Sequence, residues 1–394
     1  MRLGHLQPLY DRPGPWASVY FDTSHPDESA AEEQERAARE ASRRLERQGA
    51  DQATCRAVYD RLTALPPGTG SAGAGPAGWA VFATAGEVVV ETPLLTPPPL
   101  GEAPCWSGLP HVGPLLELTG EDPSCLVAYI DRTGADVELH DGRGGDRVGS
   151  VQGRQWPVHR TASADWSERH FQLKTENTWE QNAALIADEL RVCQEETEAE
   201  LLVLAGDPRE RRAVHDHLPK ALRPAAVETS HGGRAAGSAP HGTHAARLLE
   251  QDVDEARARY TRERDEAALE RFRAGRTPSH GRVEAAEGVP ALVDAAREHR
   301  IGSLLIRPDG ADLYREVWVG AEPDQLALRR TDVQYLGDTR PFPARADDAL
   351  IRSAAVTGAE VLTLPPAEGD PHGGDLPVGG LGALLRWPYG GDAD

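Results

Sequence analysis

Apolar and polar positions along the chain fall into three stretches with different rhythms. In the first, Ala17-Ser-Val-Tyr-Phe-Asp22 reads as a short strand. A charged, alanine-rich run from Glu28 to Leu65 reads as helix, with Pro26 near its start and Pro66-Pro67 as its stop. Residues 66–77 are rich in Gly, Pro and Ser and predict a loop. Trp79–Thr84 and Val88–Thr92, parted by Ala85-Gly86, have the pattern of a hairpin. A short helix is predicted around Val112–Leu118.

The second stretch opens near Asp122. Three strand candidates, Cys125–Ile130, Asp136–His140 and Arg147–Gln152, are separated by turn residues and predict an antiparallel meander. After an irregular segment, Ser167 is a fair N-cap with Glu168 in the first helical turn. Trp179, Ala183, Ile186, Leu190 and Cys193 step by 4, 3, 4 and 3, which is one helical face. Leu201–Leu204 reads as a buried strand, and Asp207-Pro208 starts another helix. A long charged helix follows from about Thr243 to Ala274, with a core face of Ala246, Leu249, Val253, Ala256 and Tyr260. In the third stretch, from near Pro278, the pattern predicts a helix over Val289–His299, a strand over Ser303–Ile306, a helix over Ala346–Thr357 and a strand over Glu360–Leu364. Alternating helices and strands of this kind predict a small α/β/α layer. The expected architecture is multi-domain α/β, with regions 1–121, 122–276 and 277–394.

Composition narrows the function. The chain has 42 Lys and Arg against 63 Asp and Glu, a net charge of −21, which argues against broad non-specific nucleic-acid binding. One segment runs against that sign. From Gly142 to Lys174 six Arg or Lys face three Asp or Glu. Within it, Arg154, His159, Arg160, Arg169 and Lys174 alternate with Trp156, Trp166 and Phe171. Cations interleaved with aromatics suit RNA, because guanidinium pairs with phosphate and rings stack on bases. The same rings would equally well anchor a loop on the core.

The four cysteines (Cys55, Cys105, Cys125 and Cys193) form no C-x-x-C pair and read as reduced thiols. There is no signal-peptide pattern and no run of 18 apolar residues, so a cytoplasmic protein without membrane partners is expected. No phosphate-binding G-x-x-x-x-G-K-[ST], no H-E-x-x-H and no G-x-S-x-G occurs. His215, His217, His231, His241 and His244 read as solvated loop histidines, with a transient metal site as the alternative. No cofactor is expected. Meander, helix, strand, helix is also the order of an RNase H-like layer. Asp131, Glu138 and Asp207 would be the carboxylates of a two-metal nuclease on it. Asp131 and Asp207 also fit as plain turn residues.

Three segments together carry a resemblance. Val378-Gly-Gly-Leu-Gly-Ala-Leu-Leu-Arg-Trp387 resembles the Gly-Gly-x-x-Ala-x-Leu-Arg-aromatic signature of the archaeal/eukaryotic class-1 peptide-chain release factors and Pelota. Ala286–Ala296 and Ile301–Ile306 resemble the helix and strand that open the same C-terminal domain. The meander, basic loop and long helix resemble the domain that presents the release factors' catalytic loop. The resemblance implies an N-terminal α/β domain, an RNase H-like middle domain and a C-terminal α/β/α domain like that of kink-turn-binding proteins.

The sequence also departs from the family. Release factors carry Gly-Gly-Gln at the loop tip, and Gly153-Arg154-Gln155 is the nearest approach here. An Asn-Ile-Lys-Ser-type motif for stop-codon reading is missing. The chain looks most like the bacterial branch, similar to the Balon-type ribosome hibernation factors, with quality-control peptidyl-tRNA hydrolases on a related branch. The implied function is a non-enzymatic factor in the A site of idle or stalled ribosomes, without Gly-Gly-Gln-type peptide release. Its partners would be rRNA of the A site and peptidyl-transferase centre, with EF-Tu or another translational GTPase on the C-terminal domain. Arg154, Trp156, His159, Arg160, Trp166, Arg169 and Lys174 would contact rRNA. A peptidyl-tRNA hydrolase, with Gln155 or His159 orienting water, is the enzymatic alternative.

Overall fold

The computed structural model describes residues 3–24, 30–66, 76–99, 103–119, 123–141, 144–153, 167–233, 244–278, 282–364 and 376–390. They form two compact units. One joins Met1–Glu121 with Asp265–Asp394, and the other is Asp122–Arg264.

The N-terminal part begins with α1 (Gln7–Tyr10) and β1 (Trp16–Asp22), followed by α2 (Ala30–Arg47) and α3 (Gln52–Thr63). Next come β2 (Gly78–Thr84), β3 (Glu87–Leu94), β4 (Cys105–Ser107) and α4 (Gly113–Leu118). The strands form a sheet in the order β3-β2-β1-β4. The charged run predicted as one helix is two. Gly49, with φ +96°, takes the left-handed conformation that ends α2, and the Asp51 side chain accepts from Thr54 N at 2.9 Å to cap α3. The hairpin between β2 and β3 turns on Ala85 and Gly86, both at positive φ.

The period-2 alternation of β1 explains why this part does not stand alone. Ala17, Val19 and Phe21 point to one face, where they meet Ala38, Leu45, Val58 and Leu62 of α2 and α3. Trp16 and Tyr20 point to the other face. There they join a core built with Leu292, Leu304, Ile306, Leu350 and Ile351 from far along the chain. Both faces of the sheet centre are therefore buried.

The middle unit is a five-stranded sheet. Its elements are β5 (Cys125–Asp131), β6 (Gly134–Asp141), β7 (Gly144–Gln152), α5 (Ser167–Thr197), β8 (Leu201–Gly206), α6 (Pro208–His217) and β9 (Ala226–Thr229). The strand order is β7-β6-β5-β8-β9, antiparallel through the meander and parallel from β5 to β9. Leu126, Ala128 and Ile130 face Ile186 and Leu190 of α5 and Val214 of α6. On the opposite face, Val127 and Val203 meet Leu249, Val253 and Ala256 of α7 (His244–Arg276). That long helix continues past Arg264, and its last turns contribute Ala268 and Phe272 to the other unit.

The C-terminal part contains β10 (Arg282–Glu287), α8 (Val289–Arg297), β11 (Ile301–Ile306), β12 (Glu316–Val319), β13 (Leu326–Ala327) and α9 (Arg330–Tyr335). It ends with β14 (Phe342–Arg345), α10 (Ala346–Thr357), β15 (Glu360–Thr363) and β16 (Leu381–Gly390). The main sheet has the order β10-β16-β11-β15, and a small sheet has the order β13-β12-β14. The strand β16 runs antiparallel between β10 and β11. Gly379 and Gly380 lead into it at φ +71° and +88°. A Cβ on Gly380 would lie 2.5 Å from Gly310 Cα, so the backbone crossing itself demands glycine.

One polar network crosses the shared core. The His111 Nδ1 lies 3.0 Å from Asp348 Oδ1, on the first turn of α10, and both side chains are buried. Tyr20 donates to the His111 carbonyl at 2.6 Å, and His111 N donates to Ser18 Oγ at 2.9 Å. Arg345 pairs with Asp347 at 2.5 Å and lies 3.8 Å from Asp348. Burial works against charge on His111, but the Asp348 carboxylate beside it outweighs that and raises the imidazole above its ordinary range. Burial likewise raises the Asp348 carboxyl, so the two groups hold a proton between them, and the pair links the N-terminal sheet to the C-terminal helix.

Two outcomes are expected. The proton on His111 stabilises the fold fully below about pH 6.5, and that contribution is lost as pH rises through the raised folded value. Denaturant unfolding at pH 6 and at pH 9 should show the loss, and His111→Ala should cost about 3–5 kcal/mol. Gly380→Ala should cost about 1–3 kcal/mol by overpacking. A midpoint within error of wild type would contradict the close approach to Gly310.

Candidate nucleic-acid interface

The basic segment expected to meet RNA begins at the end of β7. Gln155 and five of the seven rRNA-contact candidates, Arg154, Trp156, His159, Arg160 and Trp166, lie outside the described residues. Arg169 and Lys174 fall on the first turns of α5, and their side chains are likewise outside the description. What the structure describes is the root from which the segment leaves and the cleft beside that root.

The root is held by backbone geometry. Gly153 N donates to the Thr133 carbonyl at 2.6 Å, tying the end of β7 to the β5–β6 turn. Asn182 of α5, buried, donates from Nδ2 to the Arg132 carbonyl at 2.9 Å. A Cβ on Gly153 would lie 2.2 Å from Asn182 Oδ1, so side-chain packing excludes a larger residue there. The turn itself is closed by Asp131, whose Oδ1 accepts from Thr133 N and Thr133 Oγ1, both at 2.7 Å.

The same turn aims Arg132 over α5. Its guanidinium carbon sits 5.1 Å from the centroid of the Trp179 ring, and its Nε donates to Glu210 Oε1 of α6 at 3.0 Å. Burial pushes the Glu210 carboxyl above its usual range, partly countered by Arg132. Between β5, α5 and α6 lies a cleft lined by Ile130, Arg132, Trp179, Ile186 and Arg209. It opens outside the carboxyl ends of the parallel strands β5 and β8, where open α/β sheets place ligands. Sequence periodicity put Trp179 on the core face of its helix. Its ring is in fact half-buried and covered by Arg132, a pairing between residues 47 positions apart that no local pattern reveals.

The carboxylates considered for a nuclease are not brought together. Asp207 caps α6 by accepting from Arg209 N at 3.0 Å, and Asp131 closes its turn. Glu138 pairs in register with Val127, four residues from Asp131 along β5, and accepts from the Tyr129 hydroxyl at 3.0 Å. Among the described residues, one His/Cys/Asp/Glu group has ligand atoms within 4.8 Å of one another, and it is His111, Asp347 and Asp348. Arg345 and the imidazole already balance those two carboxylates. The histidines read as loop residues are partly structural. His215 and His217 lie on α6, and His231 Nδ1 lies 2.8 Å from Asp252 Oδ2. Among the described residues, no helix is long and apolar enough to cross a membrane.

Comparison with known proteins follows this architecture. The chain is 28% identical over 393 residues to the uncharacterized protein Rv2629 of Mycobacterium tuberculosis strain H37Rv, with 98% of this chain and 97% of the relative aligned. The same figures hold for the uncharacterized protein MT2704 of strain CDC 1551. Among solved structures, archaeal Pelota, from a model of ribosome-bound Pelota and ABCE1, aligns with TM-score 0.40 and 14% identity. That alignment covers 98% of this chain and 94% of that one. Dom34 of S. cerevisiae, a translation termination-like factor that interacts with Hbs1, aligns with TM-score 0.35 and 11% identity over 67% of this chain and 64% of its own. Residues 124–278 match the family described as bacterial archaeo-eukaryotic release factor family 2. That segment holds the whole five-stranded sheet, and over it the chain is similar to the bacterial release-factor-like proteins.

Proposed function

We propose that the protein is a ribosome-binding factor that occupies the A site of idle or stalled ribosomes, without peptide release of the Gly-Gly-Gln type. The observation that carries the proposal is the family match over residues 124–278, which spans a segment whose charge opposes that of the chain. In this reading the middle unit is the RNase H-like domain of a release factor. Its sheet order, an antiparallel meander continued by two parallel strands, supports that description.

Arg154, Trp156, His159, Arg160, Trp166, Arg169 and Lys174 contact rRNA near the peptidyl-transferase centre. Gly153, pinned to Thr133 and packed against Asn182, gives the segment a fixed point of departure. With Arg154 where the release factors have their second glycine, the segment lacks the tripeptide that assists water in ester hydrolysis. Binding without release is the consequence. The acidic remainder of the chain limits non-specific contact with RNA, so that the basic segment sets the orientation of binding. A translational GTPase such as EF-Tu is the protein partner proposed for the C-terminal part.

Co-sedimentation of the purified protein with bacterial 70S ribosomes, vacant and translating, tests the proposal. Saturable binding to vacant ribosomes is expected, weakened about tenfold or more at 150 mM salt by the double change of Arg154 and Arg160 to Ala. Release of peptide from peptidyl-tRNA, abolished by changing Gln155 and His159 to Ala, would replace the proposal with the hydrolase. Absence of binding at every salt concentration would overturn both.

A further inference from the structure

The cleft beside the loop root has a chemistry of its own. Its floor is apolar, from Ile130, Ala183, Ile186 and Val214. On one rim stands Arg132, stacked on Trp179 with its side chain still 67% exposed. On the other stands Arg209, exposed on the first turn of α6 and, among the described residues, without an ion-pair partner. Of the neighbouring carboxylates, Glu210 is paired with a cation. Glu210 accepts from Arg132, Asp207 accepts from Arg209 N, and Asp131 accepts from Thr133.

Positive charge also lies beneath the surface. Arg211 is 6% exposed, and its Nε and Nη1 have no hydrogen-bond partner. Further along, Lys220 is exposed without an ion pair among the described residues. Arg223 spends its donors on the carbonyls of Leu218 and Asp216 rather than on a carboxylate. Arg212 alone of this group is paired with acids, Asp216 at 3.4 Å and Glu228 at 3.9 Å.

We infer that this cleft binds an unstacked nucleotide of single-stranded RNA, its base laid on the exposed Arg132 guanidinium over Trp179 and its phosphate drawn to Arg209. The inference deepens the ribosome-binding proposal by giving the middle unit a second RNA contact, built from residues other than those of the basic segment. A guanidinium held over a ring offers its open side to any base, so the cleft is tolerant of sequence. Double-stranded RNA, whose bases are stacked inside the helix, does not offer that surface. Glu210 holds Arg132 in place by a charge-assisted bond, which makes it a positioning residue for the stack.

The experiment uses the full chain and a fluorescein-labelled 12-nucleotide polyuridine RNA, read by anisotropy across a salt series. Arg132→Ala should weaken binding about tenfold at every salt concentration, because it removes the stack. Arg209→Ala should weaken it less and reduce the slope of log K against log salt by about 1, because it removes a phosphate contact. Arg209 is exposed and has no ion-pair partner among the described residues, so its variant serves even if changes at Trp179 unfold the unit. A 12-base-pair duplex RNA should bind more weakly than the single strand. Wild-type affinity in both variants would overturn the inference, as would equal affinity for the duplex. The same variants in 70S co-sedimentation separate the two readings. Ribosome binding unchanged in both sinks the cleft and spares the ribosome factor, whereas oligonucleotide binding lost in both without any ribosome binding spares the cleft and sinks the factor.

Discussion

The burial of both faces of β1 is the constraint from which the larger architecture follows. A strand with one apolar face needs one layer of cover. Here Ala17, Val19 and Phe21 take the helices α2 and α3, and Trp16 and Tyr20 still require a second layer. That layer is supplied by elements almost three hundred residues later, so the N-terminal and C-terminal parts are one unit with one core. The buried Tyr20–His111–Asp348 chain of polar contacts is tolerable only because each group finds a partner. It fixes which turn of α10 meets the sheet, something apolar packing alone specifies poorly.

The middle unit obeys a simpler rule. Its sheet has α5 and α6 on one face and α7 on the other, and its strands alternate accordingly. Both the loop root and the Arg132–Trp179 cleft lie at the carboxyl ends of its parallel strands. The acidic surface elsewhere sharpens the contrast. Uncompensated cations on α6 matter more in a chain of net charge −21 than they would in a basic protein.

Much of this was legible in sequence wherever a periodic signal ran long enough. The meander, α5, α7, α8 and α10 follow from apolar spacing and from caps such as Asp207, which hold to the same few residues in any context. Short elements were not legible. β9 has four residues, β13 two, and β12 and β14 four each, too few for alternation to register. The break between α2 and α3 was present as Gly49 and Asp51, but the alanine-rich helical composition around them masked it. The carboxylates Asp131, Glu138 and Asp207 suited a metal site by type. Only the pairing register, which sets Glu138 opposite Val127, shows that they do not meet. The Arg132–Trp179 stack is non-local for the same reason, since it depends on the β5–β6 turn landing on a helix that begins dozens of residues later.

The position of β16 between β10 and β11 bears on the order in which the chain acquires its shape during synthesis. Leu381 and Ala383 of that strand sit in the same core as Leu3 and Leu6. The face of β1 that carries Trp16 and Tyr20 has early cover from α1 and α4, and its C-terminal layer comes only after the intervening residues are made. At about 5–20 residues per second, that is an interval of roughly 20–70 seconds. The middle unit, complete by Arg264, can close well before then. The long-range pairing that completes this core belongs to the slow end of folding topologies.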